Sequence, residues 1–210
     1  MKALEHLKTI NRHRALVRKG CFAVGLYWQG LTHDLSKYSP EEFLTGVKYY
    51  QGYRSPNVAE REDKGYSSAW LHHKGRNKHH FEYWIDYADC DTVMVPGRMP
   101  IRYIVEMFMD RLAASKVYKG KDYTDSSALE YYRKGDISPL LHPRTKKILE
   151  RLLKMNARYG EEYTFAYIRR CLLRKGKSCC CGGGGCCCGR HCGDDDASRK
   201  KETACECGSK

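Results

Sequence analysis

Residues 101–114 read as a helix that is apolar almost all the way round and yet carries a carboxylate. Ile104, Val105, Phe108 and Leu112 make one stripe, while Met107, Met109, Ala113 and Ala114 fill much of the remaining circumference. A helix of this kind belongs in the middle of a protein, with other elements packed around it. Asp110 falls roughly 160–200° around from the Ile104/Phe108/Leu112 stripe, by helical geometry. It shares that face with Glu106, Ala113 and Ala114. A buried carboxylate needs a cation or a donor, because an unpaired buried charge is very costly. The small alanines beside it leave space for ligands.

The rest of residues 1–175 can surround such a helix with more helices. Leu7, Ile10, Arg14 and Val17 recur at helical spacing, with His6, Ile10, His13 and Val17 as the adjoining stripe. Val24, Tyr27, Trp28, Leu31 and Leu35 form a second helical face, and Gly20 is expected to separate the two helices. Ser39-Pro40-Glu41-Glu42 has the chemistry of a helix start. Residues 52–57 read as a loop, 67–73 as a helix broken by Lys74-Gly75-Arg76-Asn77, 79–87 as a further helical stretch, and 89–100 as a connector. His142-Pro143 opens another helix, with Ile148, Leu149, Leu152 and Leu153. Glu161 opens the last, with Phe165, Ile168 and Leu172. No segment alternates convincingly with period two. The fold class expected is all-α.

Cysteine usage divides the chain. Only Cys21, Cys90 and Cys171 precede residue 178, and the other nine fall between Cys179 and Cys207 among glycines. A chain that keeps cysteine out of its core and crowds it into one end is not a stapled secreted domain. Residues 1–175 are therefore expected to form the folded domain. Residues 176–210 are expected to be a disordered Cys/Gly-rich tail, since glycine builds no core and the spacing matches no zinc-finger or ferredoxin pattern. No apolar run is long enough to span a membrane, and the N-terminus lacks the apolar stretch of a secretory signal. A cytoplasmic protein with no membrane partner is expected.

The net charge is +13. The eight basic and five acidic residues after position 173 leave +10 on the first 173. A basic globular part draws phosphate-bearing partners such as nucleic acid, nucleotides or phosphorylated metabolites.

The residues able to do chemistry come in an order. His13 lies on the first helix, His33-Asp34 at the end of the second, and His72, His73, His79 and His80 within a short stretch. Asp110 follows on the central helix. Each has an ordinary explanation when read alone. His13 fits a hydrogen-bonded core histidine, and Asp110 fits a solvent-facing partner of Arg111 or Lys116. The histidine cluster, interleaved with Lys74, Arg76 and Lys78, fits a surface patch for nucleic acid. Read jointly, they form one set of imidazoles and carboxylates suited to a divalent metal such as Mn, Fe, Co, Ni or Zn. Asp34 has two oxygens and can bridge a second ion.

His13-x-x-x-Val17, His33-Asp34 with Lys37 three residues on, and Asp110-Arg111-Leu112-Ala113-Ala114 together resemble the HD superfamily of metal-dependent phosphohydrolases. His33-Asp34-Leu35-Ser36-Lys37 is similar to the His-Asp-x-Gly-Lys of its cyclic-dinucleotide phosphodiesterase branch, with Ser36 in place of glycine. Closer still is the resemblance to a small bacterial and phage family of unknown function. It rests on His33-Asp34-Leu35-Ser36-Lys37-Tyr38 and His73-x-x-x-Asn77-x-His79-His80-x-Glu82-Tyr83-Trp84. The superfamily resemblance implies an HD-like helical bundle in which His13, His33, Asp34 and Asp110 hold one ion. Asp34 would bridge to a second ion held by His73 and by His79 or His80.

By the same resemblance, Lys37, Arg76 and Asn77 would contact substrate phosphate, and Glu82 would orient a ligand histidine. Asp34 and Lys37 would be the catalytic residues of a hydrolase acting on a small phosphomonoester or phosphodiester. Two alternatives belong to other classes: a di-iron oxygenase of the same superfamily, and a non-enzymatic nucleic-acid-binding module.

Overall fold

The computed structural model describes residues 1–88, 93–135 and 137–173. The expected tail falls outside the described residues. Among those described the protein is all-α, with eight α-helices and one small hairpin.

The first helix, α1 (Lys2–Ala23), buries His6, Ile10, His13, Val17, Gly20 and Cys21 along one side. It does not break at Gly20. Gly20 is instead the point where α1 comes closest to the central helix: a Cβ there would stand 2.8 Å from Met109 Sδ. The break comes at Gly25, whose φ of +84° is open to glycine at little cost. A six-residue helix follows, α2 (Tyr27–Thr32). It lies on α1 but turns Tyr27, Trp28 and Leu31 outward, so the second helical face expected from periodicity is largely solvent-exposed.

Helix α3 (Pro40–Lys48) starts where Ser39-Pro40 predicts, with Ser39 accepting a hydrogen bond from the Glu42 amide. Helix α4 (Pro56–Lys64) begins inside the stretch read as loop, with Pro56 in its first turn. Helix α5 (Ser68–Arg76) is capped by Ser67, whose hydroxyl accepts from the Trp70 amide. The stretch expected to resume as helix does not. It makes a 3-10 turn, Phe81–Trp84, and then strand β1 (Ile85–Tyr87), which pairs antiparallel with β2 (Met94–Pro96). Three residues a side are too few for alternation to announce a strand.

Helix α6 (Ile101–Lys119) is the central helix. Ile104, Val105 and Phe108 are wholly buried, and Met107, Met109, Leu112 and Ala113 nearly so. It packs on α1, on α7 (Ser127–Gly135) and on α8 (Pro143–Tyr167). Leu129 and Tyr132 from α7 and Leu149, Leu152 and Leu153 from α8 complete the core. Helix α8 kinks at Gly160, so the helix expected to open at Glu161 is its second half. No helix is long and apolar enough to cross a membrane among the described residues.

Candidate metal centre

Two helices and one reversal of the chain bring the first group of site residues together, and α5 with the residues after it adds the second. His13 on α1 and Asp110 on α6 face each other where the two helices pack. The third piece is the end of α2, where His33 is extended and Asp34 has φ +53° and ψ +28°. Asp34 is the only non-glycine residue with positive φ among the described residues. Aspartate tolerates this left-handed conformation better than most side chains, yet still at a cost. Arg14 on α1 secures the reversal, donating from Nε to the His33 carbonyl (2.8 Å) and from Nη2 to the Leu31 carbonyl (3.1 Å). These carbonyls lack helical partners beyond the end of α2.

The reversal directs the two carboxylate oxygens of Asp34 to different neighbours. Oδ2 lies 3.3 Å from His33 Nε2 and 3.6 Å from His13 Nε2, and Asp110 Oδ1 is 3.0 Å from His13 Nε2 and 3.6 Å from His33 Nε2. Oδ1 lies 3.3 Å from His73 Nε2 and 3.4 Å from His79 Nε2, with His80 in the same group. Within each group of four, ligand atoms stand within 4.8 Å of one another. Ligands about 2.1 Å from one ion are about 3.0 Å apart at the edges of an octahedron and about 3.4 Å apart in a tetrahedron. The donor spacing fits both. A second sign of fit is that Asp34 Oδ1, His79 Nε2 and His80 Nε2 are buried without a hydrogen-bond partner. Native proteins seldom leave such atoms unmatched.

Behind the histidines stand two carboxylates that sequence reading did not assign to them. Glu106 Oε1 lies 3.0 Å from His33 Nδ1 and 3.2 Å from His79 Nδ1. Glu42 Oε2 lies 2.8 Å from His73 Nδ1, and its Oε1 2.6 Å from His72 Nδ1. A proton on each Nδ1 leaves Nε2 free to face Asp34, the arrangement by which carboxylates orient metal-binding histidines. Glu106 could have been found, since it lies one turn before Asp110 on the same face of α6. Glu42 carried no signal beyond helix-start chemistry. Glu82, the residue expected in this role, keeps its Oε2 buried without a partner, and burial raises its pKa.

Of the three residues expected to contact phosphate, Asn77 and Arg76 are engaged within the fold and Lys37 borders the cluster. Asn77 is buried, and its Nδ2 donates to the His73 carbonyl (2.8 Å) and to Ser36 Oγ (2.8 Å), so it braces α5 against the turn after Asp34. Arg76 is exposed and donates back to the His72 carbonyl of its own helix. Lys37 stands at the opening of the site with Nζ 2.7 Å from Asp34 Oδ2, its side chain 29% exposed. Asp110 is 19% exposed, against 1% for Asp34, so solvent reaches the cluster past these two side chains. His73 and His79 are buried and His72, Lys74 and His80 partly so, which leaves Arg76 and Lys78 as the exposed members of the expected Lys/Arg/His patch.

Burial opposes every charge here, and neighbouring opposite charges outweigh it. Asp34 is desolvated, yet His33, Lys37 and His73 hold its pKa well below the usual range. Asp110 is held down likewise by His13 and His33, and Glu106 by His33 and His79. Burial disfavours the imidazolium of His33, but Asp34, Asp110 and Glu106 raise its pKa well above normal. His80 goes the other way, pushed well down by burial and then by His79 and His73. The cluster thus gathers buried carboxylates and imidazoles whose opposite charges sustain one another.

An all-α protein whose central helix lends two carboxylates to a buried cluster of imidazoles and carboxylates is the class that fold and site define. The chain belongs to a family of unknown function, DUF5662, whose model matches residues 2–155. That stretch contains every member of the cluster. No curated protein and no solved structure matches the chain at a significant level.

Proposed function

We propose that this protein is a metal-dependent phosphohydrolase of HD type, acting on a small phosphomonoester or phosphodiester. The observation that carries the reading is the divided carboxylate of Asp34, with one oxygen toward His13, His33 and Asp110 and the other toward His73, His79 and His80. Such a side chain suits one or two divalent ions of the Mn, Fe, Co, Ni or Zn type. Bound there, the ions would supply Lewis acidity and water acidified toward neutral pH.

The chain's own groups account for the rest of the task. Glu106 and Glu42 keep the imidazoles facing inward, and water reaches the cluster past Lys37 and Asp110. Lys37 is 2.7 Å from Asp34 Oδ2 and partly exposed, so its ammonium can turn from that oxygen to a phosphate oxygen entering past Asp110. Water adds to phosphorus, the ester P–O bond breaks, and the leaving alcohol takes up a proton. The +10 carried by residues 1–173 favours an anionic substrate. A cytoplasmic setting goes with a core nearly free of cysteine.

Metal analysis of the full chain purified without a chelating tag, beside Asp34→Asn, tests the reading. Asparagine tolerates the left-handed backbone at this position, so the fold is kept while the charge is lost. The wild type should retain ions that Asp34→Asn does not, and should hydrolyse p-nitrophenyl phosphate or its bis ester with Mn, Fe, Co or Ni. Equal ion content and full activity in Asp34→Asn would overturn the proposal. Oxygen consumption by the iron-loaded protein, with no phosphoester hydrolysis, would transfer the site to the oxygenase class.

A further inference from the structure

We propose that Glu106 couples the two ion subsites, so that they fill and empty together. The inference rests on the metal-centre reading above and adds to it a residue outside both ligand sets. A single oxygen of Glu106, Oε1, is shared by Nδ1 of His33 at 3.0 Å and Nδ1 of His79 at 3.2 Å. His33 faces Asp34 Oδ2 in one subsite, whereas His79 faces Asp34 Oδ1 in the other. The two rings touch in a tilted arrangement, 4.4 Å between centroids and 37° between planes, so neither can rotate without disturbing the other. Glu106 is itself nearly buried on α6, one turn from Asp110. Fixing either ring therefore fixes the acceptor that the other ring uses.

Glu42 makes the natural contrast. Its oxygens serve His72 and His73, and of these only His73 reaches Asp34. Its loss should loosen one subsite. Loss of Glu106 should loosen both.

His33, His79 and Glu106 also lie close enough to be read as ligands of an ion in their own right. That arrangement would use the opposite ring nitrogens and make Glu106 a ligand. The conservative variant separates the two roles. In Glu106→Gln the amide oxygen can still accept from both Nδ1–H groups, which preserves positioning, but it is a poor substitute for a coordinating carboxylate.

The experiment titrates the full chain with Mn2+, which the soft thiolates of the C-terminal cysteines hold weakly. Free ion is measured by electron paramagnetic resonance, and the spin-coupled pair by its own signature. Thermal unfolding of each metal-free variant checks the fold. The wild type should fill both subsites over one range of Mn2+ concentration. Glu106→Leu should weaken both by a similar factor, about 10- to 100-fold as for other outer partners of metal ligands, and abolish the coupled signature. Glu106→Gln should restore the pair to within a few-fold. Glu42→Leu should leave one tight ion. Loss of only one ion in Glu106→Leu would overturn the coupling, as would a Glu106→Gln variant no better than leucine. A wild type that binds no Mn2+ would instead remove the metal-centre reading, and this inference with it.

Discussion

The two sides of α6 are both largely removed from water and built on opposite principles. One side presents Ile104, Phe108 and Leu112 to α7, α8 and α1, and each contact there stabilises by removing apolar surface from water. The other side presents Glu106 and Asp110, where burial by itself destabilises and only partners recover the loss. On the apolar side a side chain matters through its volume. On the polar side it matters through the identity of what faces it. The helix shows where stability is made and where part of it is given over to a site.

The largest effect that can break this contrast is in stability. Phe108→Ala removes a wholly buried ring and should cost about 3–5 kcal/mol in urea unfolding. The folded fraction should still bind ions normally. Asp110→Asn is nearly isosteric and should cost less than about 2 kcal/mol, a range typical of single substitutions, while ion retention falls. If Asp110→Asn unfolded the chain as readily as Phe108→Ala, the polar face would be a structural network rather than a site.

A smaller effect sharpens the contrast by pH, through two buried groups outside the cluster. His6 on α1 lies against α3 at Gly46, and burial, then the Lys37 charge, lowers its pKa from 6.5 to about 4. Glu60 on α4 opposes its own desolvation with hydrogen bonds from Ser67, Ser68, Lys64 and the Ala69 amide, which hold its pKa at about 2. Both folded values lie below the unfolded ones, so both groups bind more protons when unfolded. The contribution of this pair to stability is therefore full above pH 6.5. It declines first as His6 demands a proton between pH 6.5 and about 4, and again as Glu60 does between pH 4.5 and about 2. Each contribution is on the order of 3 kcal/mol by linkage. Denaturant midpoints measured across pH should fall in the His6 window for the wild type and stay flatter there for His6→Phe. Equal slopes in the two proteins would remove the assignment.

How far the sequence could be read follows the same division. Periodicity located α6, α8 and most of α1, because apolar burial is a repeating requirement and leaves a repeating trace. His142-Pro143 and Ser39-Pro40 marked their helix starts because capping is local chemistry. The positions of Glu42 and Asn77 had no such trace: what makes them matter is a histidine in another element or a serine 41 residues away. Lys74-Gly75-Arg76-Asn77 looked like a breaker, yet α5 continues through Gly75 to Arg76, since its neighbours outweigh the weak preference of one glycine. The hairpin at Ile85 was invisible for want of length.

The smallest expected effect tests the clearest misreading. Val24, Tyr27, Trp28, Leu31 and Leu35 share one helical spacing, which predicts a single core-facing stripe. In the structure Gly25 interrupts the helix after Val24, so the register that joined Val24 to the others is lost. Val24 stays at 4% exposure, while Tyr27, Trp28 and Leu31 reach 61%, 73% and 51%. A side chain already in water has little apolar burial to lose. Leu31→Ala and Trp28→Ala should therefore each change unfolding free energy by no more than about 0.5 kcal/mol, as for other exposed substitutions. Val24→Ala, three residues before α2 begins, should cost more than either. A loss above about 2 kcal/mol in Leu31→Ala would be the size expected of a truncated core leucine, and would return α2 to the core that its periodicity first suggested.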